Sequence, residues 1–423
     1  MKRLVRNMAM CLVAALVAWA MVPAASAATV RLKDGRVLEG RITKEGEGFL
    51  FLMISVGGLE HQEIITSEQI KSIDRDDSPP AADPKAEAAI IPSRETLPKD
   101  AAKPAGEKAV SPGATRIAFI SLEEEVGPYM FADALLHSKD ILDKLPEDER
   151  PQIVVLKFNS GGGAGSEMHP FSDAIHLKLK ADYRVVGWIE SAISAASFTA
   201  WNCEELYFRS HGNFGGNVGF YMTGPGQAKA VEGDTLEWSL QLGEMVAKRG
   251  GYNPLIMRAM QTLTPISCDI DEDGLVTWYE GTSGDLVVNP PDRILTLNSE
   301  LALKCKVSKG TADTKDQLAK LLGCKEWVEV GQEADEYQIA FREAVHEAEA
   351  RTDELISKMN IAIQFGQAPR ARTFLEELRS IARRAPSMAK YGNPPLSKEW
   401  FEEVEKQLRK IIDDQEKMKR RER

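Results

Sequence analysis

The chain has 423 residues, 43% of them hydrophobic and 28% charged, which is the make-up of a soluble globular protein with room for about two or three domains. A formal net charge of -11 gives no support to nucleic-acid binding as the main activity. Beyond Cys11 the cysteines are Cys203, Cys268, Cys305 and Cys324, with no CxxC spacing, and a chain of this length buries an adequate core without staples, so free thiols and bridges both stay open.

Lys2, Arg3 and Arg6 precede an apolar run from Met8 to Val22 and then Ala25-Ser26-Ala27, the pattern of a secretory signal peptide over residues 1–27. The mature protein is therefore expected in the periplasm or outside the cell. No later stretch reaches the ~18 to 20 apolar residues of a membrane helix, so no membrane span is expected after cleavage. In residues 28–76, TVRLKDGRVLEGRI alternates apolar and polar residues on both sides of Asp34-Gly35, a hairpin signal, and further short strands follow. About five short strands in so few residues predict a small SH3-like or Sm-like β-barrel, a docking module without chemistry. Residues 77–113 turn to Pro, Ala, Lys, Glu and Asp, too little apolar surface to offset ordering entropy, and are expected to be a disordered linker.

Strands and helices then alternate through residues 114–328: TRIAFISLE, YMFADALLHSKDILDKL, QIVVLKFN, a helix around EMHPFSDAIHLKLK, YRVVGWIE, a helix from Ser194 and ELYFR. This spacing predicts an α/β fold with a mainly parallel sheet, whose ligands sit beyond the carboxyl ends of the strands. Two segments fall at such ends. Ser160-Gly161-Gly162-Gly163 permits backbone angles closed to other residues and lets a substrate chain come close. It lacks the lysine of a phosphate-binding loop, which argues against nucleotides. Ser194, in VVGWIESAISAASFTAW, stands where a strand gives way to a helix whose first amides have no intrahelical acceptor, so a hydroxyl meets donors able to hold an oxyanion. The competing reading is that Ser194 or Ser191 only caps the helix.

On these residues the chain resembles the ClpP/crotonase superfold and, within it, the NfeD-type serine proteases, with signal peptide peptidase A as a more distant relative. Asn159-Ser160-Gly161-Gly162-Gly163 is similar to the family's D-T-P-G-G-like turn, Ser194-Ala195-Ala196-Ser197 to its S-A-G-T-like nucleophile turn, and ILTLNSELALK to its closing segment. The resemblance spans about residues 115–327. It implies Ser194 as nucleophile, the amides of Gly162 and Ala195 as the oxyanion hole, peptide or protein substrates and no cofactor. It also implies a lysine base, and counting back from Arg249-Gly250-Gly251-Tyr252-Asn253 puts Asp234 there instead. Lys248 lies ~21 Å further along the helix at ~1.5 Å per residue, beyond proton transfer. Lys229, just upstream, serves only if the intervening loop folds back, and His211, in the turn after ELYFR, is the other candidate; the Clp-type histidine falls nearer Asn217. The resemblance thus implies an exported serine endopeptidase or, with the base lost, a catalytically degenerate peptide-binding or scaffold protein. A crotonase-type acyl-CoA enzyme ranks last, because an exported protein seldom meets CoA.

Asp269, Asp271, Asp273, Gly274 and Glu280 fit the spacing of an EF-hand calcium loop. The flanking TLTPIS and GTSGD carry no helix pattern, which favours a β-hairpin, with calcium at Asp269, Asp271, Asp273 and Glu280 as the secondary reading. Residues 329–423 read as an α-helical hairpin or bundle able to pair with another protomer in a homo-oligomer, with Ser397 as an N-cap after Pro394-Pro395.

Overall fold

The computed structural model describes residues 27–75 apart from 34–36, 47–48, 57–58 and 67–69, and residues 113–421 apart from 225–226. The expected signal peptide and linker lie outside the described residues but for Ala27 and Gly113. The chain divides into two compact units, Met1–Ala105 with Phe220–Ala230, and Gly106–Gly219 with Val231–Arg423.

In the first unit β1 (Ala27–Leu32), β2 (Val37–Gly46), β3 (Phe49–Val56), β4 (Leu59–Thr66) and β5 (Ile70–Arg75) form an antiparallel sheet in the order β4-β3-β2-β1-β5. The strands flanking Asp34-Gly35 pair directly, Val30 opposite Leu38. Their alternation is that of a half-buried sheet: Ala28, Val30 and Leu32 are buried while Arg31 is exposed, and Val30 and Leu32 meet Leu50, Leu52 and Ile65.

The second unit begins with β6 (Thr115–Glu123), α1 (Ala132–Asp143), β7 (Ile153–Ser160), α2 (Met168–Asp173, continued by a π-helical turn Ala174–Leu179), β8 (Arg184–Ile193), α3 (Ala195–Ala200) and β9 (Glu205–Gly215). After β9 the chain makes the hairpin β10 (Phe220–Gly224) and β11 (Gln227–Ala230), which belongs to the first unit, and returns through α4 (Gly233–Gly250) and α5 (Pro254–Gln261). A small sheet of β12 (Ile266–Ile270), β13 (Val276–Glu280) and β14 (Leu286–Asn289) follows, then β15 (Thr296–Asn298), α6 (Ser299–Lys304), β16 (Ser308–Thr311), α7 (Lys315–Leu321) and β17 (Trp327–Glu329). The central sheet runs β15-β9-β8-β7-β6-β17 with β16 also on β9, parallel throughout except for β15.

A parallel sheet must be covered on both faces, and the strand sequences comply. Ala118, Ile120 and Leu122 of β6 face a core that takes in Leu135, Phe171 and Ile175, whereas Ile117 and Phe119 face a second core closed by Leu318 and Leu322. All four described cysteines are free thiols, and burial pushes Cys203 and Cys305 up to about 12, out of reach of thiolate chemistry at neutral pH. Asp269 to Glu280 form a β-hairpin, Asp269 opposite Thr277 and Ile270 opposite Val276. Two of its carboxylates accept backbone amides: Asp271 Oδ1 those of Asp273 (3.1 Å) and Leu275 (2.8 Å), and Asp269 Oδ1 that of Asp285 (2.8 Å). Among the described residues no group of three or more His, Cys, Asp or Glu is placed to hold a metal ion, and no helix is long and apolar enough to cross a membrane.

The C-terminal region comprises α8 (Gln332–Gln364), α9 (Ala368–Arg384), α10 (Met388–Tyr391) and α11 (Lys398–Arg421). It belongs to the same compact unit as the sheet, for a reason visible in β6. Because β17 pairs only with Thr115 to Ile117, the edge of β6 beyond them needs other partners. Helix α8 supplies them: Asp335 Oδ1 accepts the Ser121 amide at 2.6 Å, and Arg342 donates to the Ser121 carbonyl at 3.0 Å. A third core joins Phe341, Val345, Leu375, Leu378 and Leu408 to Tyr129 and Phe131 in front of α1. Phe341 is 3% exposed, its ring 6.3 Å from those of both Phe131 and Tyr337. Phe341→Ala should cost about 3–5 kcal/mol in a denaturant titration followed by near-ultraviolet circular dichroism, to which the buried Trp188 and Trp201 contribute. An unmoved transition would mean that the helices unfold apart from the sheet.

Candidate active site

Strands β7 and β8 are parallel neighbours, Ser160 opposite Ala192, so the turns that leave their carboxyl ends lie side by side. The glycine turn crosses toward Ser194. Gly162 has φ +100°, and a Cβ there would stand 2.6 Å from Ser194 Cβ, 2.8 Å from the Ile193 carbonyl and 3.2 Å from Ser194 Oγ. Gly163, at φ +150°, lies against Val126, whose carbonyl would be 2.2 Å from an added Cβ. Val126 fixes the turn by two backbone bonds, donating to the Gly162 carbonyl (2.9 Å) and accepting from the Ala164 amide (2.7 Å).

Ser194 occupies the N-cap position of α3 with φ 55° and ψ -127°, a left-handed-side conformation costly for a residue with a Cβ, and its side chain makes no capping bond. The cap reading therefore does not describe it, nor Ser191, whose hydroxyl donates to Asn213 Oδ1 at 3.0 Å. The turn is held from its backbone. Ser194 N–H donates to the Gly215 carbonyl at 2.9 Å, and Ser197 Oγ donates to the Ser194 carbonyl at 2.9 Å. Asn217, 2% exposed, completes the support. With its amide nitrogen turned toward the turn, it donates to the carbonyls of Ser194 (3.2 Å) and Gly215 (2.9 Å). Asn217 is thus a strut behind the turn, standing where the Clp-type histidine was expected; the sequence offered only that count to single it out.

Of the predicted residues, Gly162, Ser194 and Ala195 come together. Ala195 is the first residue of α3, so its amide has no intrahelical acceptor, while the Gly162 amide donates to Ser160 Oγ at 3.1 Å. Among the described residues the Ser194 hydroxyl makes no hydrogen bond. His211 is not brought to it. β9 does not end at ELYFR but continues through a bulge to Gly215: Ile189 pairs with Phe208 and Ser191 with Asn213, so Arg209 to Gly212 loop out opposite Glu190. There His211 Nε2 is 3.8 Å from Glu190 Oε1, and Arg209 donates to Glu190 Oε2 at 2.7 Å. Glu190 precedes Ser194 by ~13 Å of strand at ~3.3 Å per residue. Lys229 sits on β11 opposite Tyr221, in the first unit. Asp234 is exposed in the first turn of α4 and Lys248 exposed near its last.

No family model and no curated protein matches the chain. Among solved structures it is similar to a membrane-bound stomatin-specific protease in two forms. One is a serine-to-alanine mutant, 14% identical at a TM-score of 0.35, covering 49% of this chain and 84% of that one. The other is a lysine-to-alanine mutant in complex with a substrate peptide, 14% identical at a TM-score of 0.37, covering 49% of this chain and 80% of that one. At such TM-scores the likeness carries no argument about chemistry. The second unit is a mixed α/β fold with a mainly parallel central sheet and a helical C-terminal region.

The glycine turn makes a sharp stability prediction. Gly162→Ala, strained by its φ and by the Ser194 side chain, should lose at least ~1 kcal/mol in chemical denaturation. Gly161→Ala, whose Cβ would meet nothing within 4 Å, should stay within ~0.5 kcal/mol of the parent. Equal losses would mean that the close approach of Gly162 to Ser194 is not what the turn requires.

Proposed function

We propose that this chain is an exported serine peptidase of the ClpP/NfeD-like type, acting on extended peptides without a cofactor. The observation that carries the reading is the Ser194 turn: a non-glycine residue at φ 55° and ψ -127°, between a strand and a buried helix, whose hydroxyl caps nothing. Strain of this kind costs ~1–3 kcal/mol and persists where a site needs it; the strand-to-helix nucleophile elbow of other hydrolases is the closest parallel. In the proposed reaction Ser194 Oγ bonds to the scissile carbonyl carbon as its proton passes to a base. The oxyanion is received by the amides of Ala195 and Gly162, the latter released from Ser160 Oγ. The amine leaves with the proton, and water then splits the acyl ester. His211, in the bulge of β9, faces Glu190 rather than Ser194. The N-terminal sheet, read as an SH3-like barrel, serves as the docking module.

A second reading, a degenerate ClpP-fold protein that binds peptides without cleaving them, is favoured by one observation: the Ser194 hydroxyl has no hydrogen-bond partner among the described residues. Labelling with a fluorophosphonate decides between the two. The chain lacking its leader should be labelled at Ser194, and Ser194→Ala should abolish both labelling and peptide cleavage. Labelling that survives Ser194→Ala removes the peptidase reading. Peptide binding with no labelling of the parent establishes the second.

A further inference from the structure

Glu167, just beyond the glycine turn, is 1% exposed. A buried carboxylate is tolerated only when its lone pairs are matched, and the partners of Glu167 come from two distant parts of the chain. Its Oε1 accepts from Lys390 Nζ and from Tyr391 OH, both at 2.7 Å, and its Oε2 accepts the Ala132 amide at the start of α1 at 3.1 Å. Lys390 and Tyr391 belong to the short α10, more than half the chain away in sequence but seated on the turn.

Tyr391 reaches the glycine turn by two routes. Along the chain, its hydroxyl is also 2.9 Å from Ser166 Oγ, beside Glu167. Across the turn, its ring covers Gly127: a Cβ on Gly127 would lie 3.2 Å from the ring and 3.0 Å from Ala164 Cβ. Gly127 follows Val126, whose two backbone bonds to Gly162 and Ala164 set the turn, and Gly162 in turn abuts Ser194. The position of α10 is itself fixed, since Leu396 N–H returns to the Met388 carbonyl at 2.9 Å and Met388 lies in the core of the helical region.

We infer that Lys390 and Tyr391 are positioning residues for the oxyanion side of the Ser194 site, acting through Glu167 and Gly127 to hold the glycine turn in place. The helical region then works as a clamp on the site rather than as an appendage. The inference rests on the proposed peptidase reading for its kinetic consequence, but its structural half, that α10 holds the turn, stands apart from it.

The test uses the full chain without its leader, in the variants Tyr391→Phe, Lys390→Met, the double variant, and Lys390→Arg, which keeps a donor for Glu167. Two readouts are taken beside the melting temperature: the rate of fluorophosphonate labelling at Ser194, and backbone amide exchange over residues 161–166 by mass spectrometry. The double variant should label at least about tenfold more slowly, because small misplacements of transition-state donors are costly, and exchange over 161–166 should rise while distant core segments keep their protection. Lys390→Arg should restore most of the rate relative to Lys390→Met. Unchanged labelling in a folded double variant overturns the inference. If the parent itself is not labelled, the peptidase reading fails, and the exchange readout alone decides: a rise confined to 161–166 upholds the clamp, and no rise rejects it. Should the double variant fail to fold, Tyr391→Phe, which removes one hydroxyl and no volume, is judged by the same two readouts.

Discussion

Neighbouring parallel strands run ~4.8 Å apart and in the same direction, so whatever leaves the carboxyl ends of two of them must share a small space. Here the space is taken by Gly162 and Ser194, and the contact between them sets the rest. With no Cβ at position 162 the glycine turn can lie across the end of β8, directly against Ser194, which stands at φ 55°. The sheet order, with β7 beside β8, is what makes the two turns meet, and Val126 at the end of β6 pins the far side.

A strained residue needs a surrounding that does not yield. All six residues of α3 are buried, and Phe198 and Trp201 at its far side are among the largest fully buried side chains of the domain core. Burying each large side chain stabilises by ~1.5–3 kcal/mol, against ~1–3 kcal/mol for the Ser194 backbone, so the helix stays seated and the turn bears the strain. Asn217 and Gly215 add directional bonds to the Ser194 backbone at no cost to its hydroxyl. Among the described residues the side chain, like the Ala195 amide, is not committed to structure.

The strand and helix pattern was readable in the residues because each layer has its own period. Residues Ile117 to Leu122 alternate between two cores, and the Asp34-Gly35 hairpin pairs as its alternation implies. Ser194 and the glycines were readable for the same reason, as the points where a buried strand stops. What escaped was set by distant partners. ELYFR followed by Ser210-His211-Gly212 looks like a strand and a turn, yet pairing with β8 carries β9 on through a bulge and turns His211 toward Glu190. Glu167 looks like a solvated charge in SGGGAGSEMHPF, and only the arrival of Lys390, Tyr391 and the start of α1 makes its burial tolerable. The helices of residues 332–421 announce an apolar face but not its target, which is Tyr129 and Phe131 in front of α1, while Asp335 and Arg342 of α8 meet the edge of β6 that β17 leaves uncovered. The hairpin at Asp269 to Glu280, favoured by flanks without a helix pattern, pairs as expected, and Asp271 accepts two amides of its turn.

The bond from the Gly162 amide to Ser160 Oγ bears on how such a site would work. A neutral hydroxyl is a modest acceptor, contributing ~0.5–1.5 kcal/mol, whereas a bond to a charged oxygen contributes ~1.5–3 kcal/mol. An oxyanion forming beside Ser194 would therefore outcompete Ser160 for the Gly162 amide, while a neutral peptide carbonyl would gain little by doing so. The resting bond keeps the amide satisfied and aimed across the turn, and its release is favourable only as charge develops. That difference between ground and transition state is what catalysis by an oxyanion donor consists of, and it makes the firmness of the glycine turn, rather than the presence of a free donor at rest, the quantity on which the site depends.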